Sequence, residues 1–212
     1  GSIWSKQAIS LTDPFEMELE LFFGCNDEQG ADGMVFIFHP YRGQRGRAGE
    51  GMGFRGIYPA LGIEMDTYYN RHLGDPTYDH IALMANGTVR HYSGLTDAVP
   101  AKENKGNIED CKNHLVKVTW EPKSKSLKVF FDGEERIHYQ KDIVKTIFEN
   151  STMVYWGFSA ATGGKSNKHA VCMKKLIYTE VEAYDRSAIK KINCIYDIQI
   201  LLREIACKGP FY

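Results

Sequence analysis

The stretch Glu64-Met-Asp66-Thr-Tyr68-Tyr-Asn70, followed by Asp75-Pro76 and His80, concentrates residues that bind ions. Among positions 64 to 80 these residues supply three carboxylates, an amide side chain and an imidazole. Alternate residues of a strand face the same side, so Glu64, Asp66 and Tyr68 converge on one face as the chain runs out into a loop. Hard oxygen donors suit calcium. Carboxylates mixed with one imidazole suit manganese or another divalent transition ion. Each residue alone reads as a solvated polar position. The string as a whole does not, because acids on one strand face repel unless a cation compensates them.

Two glycine patterns hint at nucleotide chemistry and fail. Gly51-x-Gly53-x-x-Gly56 has the dinucleotide spacing, but that fingerprint needs a helix directly after it. Here Ile57-Tyr-Pro59 and a strand follow. Gly163-Gly-Lys165-Ser166 ends like a phosphate loop, yet the first glycine of that motif would fall on Ser159. Glycoside hydrolysis needs two positioned carboxyl groups flanking the bond. Sandwich-fold hydrolases carry E-x-D-x-E on a strand, and the third position here is Tyr68. Glu64 and Asp66 would both be committed to an ion, so an enzyme is not expected and the hydrolase stays a minor alternative. His39, His72, His91, His114 and His138 have no ligand partners at metal spacing and are read as ordinary. Trp120 and Trp156 lie in apolar strands and belong to the core; Trp4 finds no place in this reading.

The elements that must position these groups are strands. Glu16-Met-Glu-Leu-Glu-Leu-Phe22 alternates as a half-buried strand does. Met34-Val-Phe-Ile-Phe38 is continuously apolar, which suits a strand covered on both faces. Residues 57–69 read as another. Residues 80–85 and 88–92 flank Asn86-Gly87, the strongest short hairpin signal. Leu115–Trp120 and Leu127–Phe131 form a hairpin around Pro122-Lys-Ser-Lys, and Asp132-Gly133 turns the chain into Ile137-His-Tyr. Residues 153–158 and 170–179 complete the set. Many short strands between turn signals predict an all-β sandwich or barrel. Residues 141–148 have the spacing of a short helix. Residues 185–207 carry Ile189, Ile192, Ile195, Ile198, Leu201 and Leu202 at helical spacing, stopped by Gly209-Pro210.

Composition narrows the partners. With 212 residues and 43% hydrophobic content the chain can bury a core as one domain. A formal net charge of -1, with no basic stripe, argues against a nucleic-acid partner. No apolar run approaches a membrane span and no signal peptide opens the chain, so membrane insertion is not expected. The five cysteines form no C-x-x-C pair, which argues against a zinc knuckle. At least one disulfide is expected if the protein is secreted, without its connectivity being readable. Asn86-Gly-Thr88 is better explained as a turn than as a glycosylation sequon.

The string from Glu64 to His80 resembles the double-metal loop of legume (L-type) lectins. Three further segments match that family in order: Gly30-Ala-Asp32-Gly33, Gly49-Glu-Gly-Met-Gly-Phe54 and Gly157-Phe-Ser-Ala-Ala-Thr-Gly-Gly164. The resemblance implies a concanavalin A-like β-sandwich (jelly roll) over residues 1–180; the apolar spacing described above adds a short helix within it and a helical C-terminal tail over 181–212. It implies that Glu64, Asp66, Asp75 and His80 hold the transition metal. Asp66, the Tyr68 carbonyl, Asn70 and Asp75 would hold calcium. It implies a cis peptide before Asp32 and a sugar site in which Asp32 accepts from sugar hydroxyls. Asn70 and the Gly51 backbone N–H would donate, Tyr68 would stack on the pyranose, and Gly164 and Lys165 would stand at the rim. The function implied is calcium-dependent glycan recognition without turnover, at the cell surface or outside the cell. The tail would serve oligomerisation or a larger parent protein. A module with a vestigial sugar site is disfavoured, because Asp32, the glycine loop and Asn70 occur together. The pattern is nearer to bacterial L-type lectin domains. It departs from legume lectins in lacking the strands that precede the stretch matching Ser2, in the tail, and in having Glu50-Gly51 where adjacent glycines are usual.

Overall fold

A computed structural model describes residues 1–180 and 190–191. Its strands form two packed antiparallel sheets. The first contains β1 (Ser2–Trp4), β2 (Ile9–Ser10), β4 (Gly33–His39), β5 (Leu61–Asp66), β6 (His80–Ala85), β7 (Val99–Pro100) and β11 (Met153–Ala161). Their order is β1-β11-β4-β5-β6-β7, with β2 also pairing with β11. The second runs β10-β9-β8-β3-β12, built from β3 (Phe15–Phe22), β8 (Asn113–Glu121), β9 (Ser126–Phe131), β10 (Glu134–Gln140) and β12 (Ala170–Ile177). Short strands β13 (Thr179–Glu180) and β14 (Lys190–Lys191) pair beyond them. The rest of the expected tail helix lies outside the described residues, as do Cys194 and Cys207.

Strand chemistry accounts for the layering. β3 alternates buried and half-buried residues along its length, its acids facing outward and pairing with Lys174 and Lys175 of β12. β4 and β5 are buried throughout, because both faces of the first sheet are covered. On the inner face Phe36 stacks on Phe158 at 4.6 Å between ring centroids, and Trp156 meets it edge-on. Trp120 is buried in the same core and resolves its one polar group by donating Nε1–H to the Leu11 carbonyl. The outer face carries a second apolar cluster of Val35, Ile37, Met52, Phe54, Ile57, Ala82 and Met84, against which Trp4 packs. Glu64, Asp66 and His80 share that outer face.

Two strand expectations change. The strand expected over 57–69 is confined to Leu61–Asp66, because a turn closes Ile57 N–H on the Phe54 carbonyl and Pro59 has no N–H for a ladder. The hairpin expected around Asn86-Gly87 has its turn, with both residues at positive φ, but not its second strand. The Thr88 hydroxyl accepts from Arg90 N–H and contacts Ser93 Oγ, a local alternative to ladder pairing. Residues His91–Ser93 form a 3-10 turn instead, and β6 pairs with β7. The short helix α1 occupies Ile143–Thr146, capped by Asp142 accepting from Lys145 N–H.

Cys25 and Cys111 form a disulfide that closes an 86-residue separation, and Cys111 N–H donates to the Gly24 carbonyl. The bond ties the segment leading to Asp32 to the approach of β8. Constraint of the unfolded chain makes such a loop worth about 2–5 kcal/mol. Cys111→Ser is expected to lower the guanidinium midpoint and, because the released unfolded chain exposes more surface, to raise the m-value; an unchanged midpoint would show that the bond adds no stability.

Candidate functional site

The site forms where β5 and β6 end side by side. Asp66 and His80 are register partners, and Glu64 lies two residues back on the same face. The following loop folds against its own carboxylates. Tyr68 N–H donates to Asp66 Oδ1 at 2.7 Å, and Asn70 N–H to Asp75 Oδ2 at 2.6 Å. These two bonds fix the Tyr68 and Asn70 backbone relative to the acids. Glu64, Asp66, Asp75 and His80 are all buried, and the structure brings them together as the sequence predicts. Ligand atoms of Asp66, Asp75 and His80 all lie within 4.8 Å of one another, and so do those of Glu64, His80 and His91.

His91 corrects the sequence reading, which set it aside as ordinary. The 3-10 turn after Gly87 brings its ring edge-on to that of His80, with centroids 4.7 Å apart. A turn at Asn86-Gly87 reverses the chain and returns residue 91 towards residue 80; that signal was present in the sequence. His72, also set aside, reaches Glu50 Oε2 at 2.8 Å while Arg55 holds Oε1 at 2.6 Å. These contacts couple the glycine loop to the carboxylate loop.

The electrostatics are those of a site built for a cation. Burial, then Asp75, pushes the Glu64 carboxyl well above its ordinary range. Burial, then Glu64 and Asp75, does the same to Asp66. Burial, then His91, pushes His80 down to about 4. Buried oxygens Glu64 Oε2, Asp75 Oδ1 and Asn70 Oδ1 have no hydrogen-bond partner, which is costly unless an ion or water meets them. His80 Nδ1 faces the Tyr78 carbonyl at 3.2 Å, the contact that leaves Nε2 as the ligand atom. This donor set fits both a hard divalent cation and a first-row transition ion.

Asp32 sits at the start of β4, beside this cluster. Its N–H donates to the Ala161 carbonyl and its carbonyl accepts from Thr67 N–H, both at 3.0 Å. The Ala31-Asp32 peptide is cis. Gly33 is required where it stands: φ is +130° and a Cβ would lie 2.3 Å from the Met65 carbonyl oxygen. Asp32 Oδ2 is buried without a partner, and burial, then Glu50, raises its carboxyl to about 6. A Cβ on Gly163 would lie 3.8 Å from that oxygen, so the 163–165 loop overhangs the acid. Lys165 Nζ lies 5.3 Å from the Tyr68 ring centroid and donates to the Glu28 carbonyl, which brings an expected rim residue against the expected stacking ring. Gly164 is exposed with open space around it. Gly51 closes the 3-10 turn Gly49–Gly51, its N–H directed to the Ala48 carbonyl at 3.4 Å.

Glu109 and Asn167, which the sequence reading did not single out, hold the Asp32 loop. The Asn167 side chain accepts from Cys25 N–H, donates to the Asn26 carbonyl and donates to Glu109 Oε1 at 2.5 Å. No local pattern marks either residue, because their partners lie far away in sequence.

A family model described as the legume lectin beta-barrel domain matches residues 1–175. The fold is similar to lectin II from Ulex europaeus, at 20% identity and a TM-score of 0.66 over 82% of this chain and 79% of that one. It is similar to basic winged bean lectin, solved with Tn-antigen, at 21% identity and a TM-score of 0.65 over 80% and 76%. The exoplasmic/lumenal domain of VIP36, solved in a Ca2+/Man3GlcNAc-bound form, matches at 22% identity and 0.66 over 87% and 77%.

Burial, with Asp79 adding to it against the Asn167 hydrogen bond, raises Glu109 from 4.5 to about 8. The folded protein then holds a proton that the unfolded chain releases, so this group's contribution to stability is full below about 4.5 and is lost as pH rises through about 8. Glu109→Gln keeps the acceptor for Asn167 and removes the titration. With both cations saturating, its melting temperature is expected to decline less than the wild type's between pH 5 and 8. Parallel melting curves for the two proteins would show that Glu109 stays ionised.

Proposed function

The chain belongs to the L-type lectin family, and from that premise we propose that it recognises glycans through Asp32 in a site organised by two cations. It is a legume-lectin-type carbohydrate-binding domain; the ions, the site residues and the biological setting are the further reading. The observation that carries this reading is the unpartnered Asp32 Oδ2 beside the unpartnered oxygens of Glu64, Asn70 and Asp75.

Asp32 accepts hydrogen bonds from sugar hydroxyls. The Asn70 side-chain amide donates to them and the Tyr68 ring offers an apolar face; the Gly51 N–H, expected from the sequence as a second donor, is turned to the Ala48 carbonyl in a buried turn and is left out of the site. Gly164 and Lys165 bound the site on the side of the 163–165 loop. Calcium would be held by Asp66, the Tyr68 carbonyl, Asn70 and Asp75. Manganese or another divalent transition ion would be held by Glu64, Asp66, Asp75 and His80. When bound, these ions supply charge compensation and fix the loop carrying Tyr68 and Asn70. The reading is one of binding without turnover, because the carboxylates that a hydrolase would use are committed to ions in it.

Shallow sugar sites gain avidity from repetition, which gives residues 181–212 a role in oligomerisation or in joining a larger protein. The Cys25–Cys111 bond supports an oxidising, extracellular or cell-surface setting, where glycan recognition serves adhesion. VIP36 and the plant lectins support glycans as the partner class.

Asp32→Ala is expected to abolish glycan binding on an array while leaving calcium and transition-metal content unchanged. Asp32→Asn is expected to bind poorly too, since an NH₂ donor would face hydroxyls already acting as donors. Chelation is expected to lower the wild type's melting temperature and remove its glycan binding, because ions that bind only the native state stabilise it. Retained glycan binding by folded Asp32→Ala would overturn the site. Binding that survives exhaustive chelation would remove the cations from the mechanism. Release of reducing ends by the wild type would make the protein a hydrolase.

A further inference from the structure

The cation cluster contains one group more than the family pattern supplied. That pattern offers a single imidazole, His80, to the transition ion. Here the His91 side chain is 8% exposed and its Nε2 points into the same space. It lies 2.9 Å from His80 Nε2, 3.4 Å from Asp75 Oδ1 and 3.5 Å from Glu64 Oε2. The two oxygens have no hydrogen-bond partner, and their separations from His91 are long for a hydrogen bond. They are the separations expected between ligands of one ion: donors about 2.0–2.1 Å from a tetrahedral zinc lie about 3.3–3.4 Å from each other.

We propose that His91 Nε2 is a direct ligand of the transition-metal half of the site, making it a two-imidazole, carboxylate site that selects zinc-like ions over manganese. The proposal rests on the two-cation reading above and goes beyond it in the ligand set and the ion preferred. A second imidazole moves the donor set away from the oxygen-rich chemistry that suits manganese and towards the nitrogen donors favoured by zinc, cobalt and nickel. The fold supplies the residue deliberately. The 3-10 turn His91–Ser93 is held by Gly94 N–H on the His91 carbonyl and Leu95 N–H on the Leu83 carbonyl. These bonds fix the backbone on both sides of the ring. His80 Nδ1 contacts the Tyr78 carbonyl, which leaves its Nε2 facing that of His91.

The test uses the full chain stripped of ions and refilled with calcium in excess, then titrated with Zn²⁺ or Mn²⁺ against a chromophoric chelator. The wild type is expected to prefer zinc by roughly a hundredfold, and His91→Ala to lose roughly a hundredfold in zinc affinity but less than about tenfold in manganese affinity. Cobalt loading is expected to give visible spectra that differ in band position between the wild type and His91→Ala, as loss of one nitrogen donor requires. X-ray absorption of the zinc-loaded wild type, which needs no variant, is expected to show two imidazoles. One imidazole, or a folded His91→Ala with wild-type zinc affinity and cobalt spectrum, would overturn the role of His91 and leave the two-cation reading standing. Equal losses for zinc and manganese would overturn the selectivity. A wild type that binds no transition ion at all would overturn both.

Discussion

Repulsion among Glu64, Asp66 and Asp75 is the constraint around which this end of the molecule is organised. Two unit charges about 4 Å apart at an effective dielectric of about 20 interact by about 4 kcal/mol. A domain has only about 5–15 kcal/mol of net stability to set against such terms. The protein meets part of this demand itself, through Tyr68 and Asn70 N–H donors to Asp66 and Asp75. Those bonds shape the loop as well as its charge, so the backbone that would face a sugar follows from the need to settle buried acids. The remaining demand shows as Glu64 and Asp66 carboxyl groups that burial and their acidic neighbours push well above the ordinary range.

What surrounds the acids is rigid for separate reasons. Phe54 is fully buried under the glycine loop, and Gly62 of β5 makes room for it: a Cβ there would lie 2.8 Å from the ring. The loop and the strand carrying Glu64 and Asp66 are therefore packed through one aromatic side chain. On the opposite side Asp32 is fixed between Ala161 and Thr67, and its approach is tied by Asn167 and by the disulfide. The site is thus assembled from loops of distant sequence origin, each anchored to the first sheet by a different kind of bond.

Features set by neighbouring residues were legible in the sequence. The alternation of β3 and the unbroken apolar run of β4 follow from strand geometry, and the structure bears them out; the string from Glu64 to His80 was legible as a concentration of acids with a histidine, and ligand atoms of Asp66, Asp75 and His80 lie within 4.8 Å of one another. The Asn86-Gly87 turn was also legible, but the strand read after it was not there, because Thr88 and Ser93 hydroxyls satisfy the backbone locally. That one misreading hid His91. Glu109, Asn167 and the pairing of Cys25 with Cys111 were beyond local reading, since topology alone brings together residues separated by 58, 142 or 86 positions. Glu50 belongs to the same class: its bond to His72 depends on how two loops meet over a sheet.

The second sheet ends on β10 and β12, and both carry a register shift, between Glu135 and Ile137 and between Met173 and Lys175. Such irregularities bend a boundary strand and break its row of free backbone groups. Lys174 and Lys175 place charge along one boundary, and Glu134, Glu135 and Arg136 along the other. A ten-strand sheet continuous across two molecules would need at least one of these borders to be straight and uncharged. Copies of this domain are therefore steered away from joining edge to edge through that sheet, and growth into fibrous stacks is blocked along the same direction.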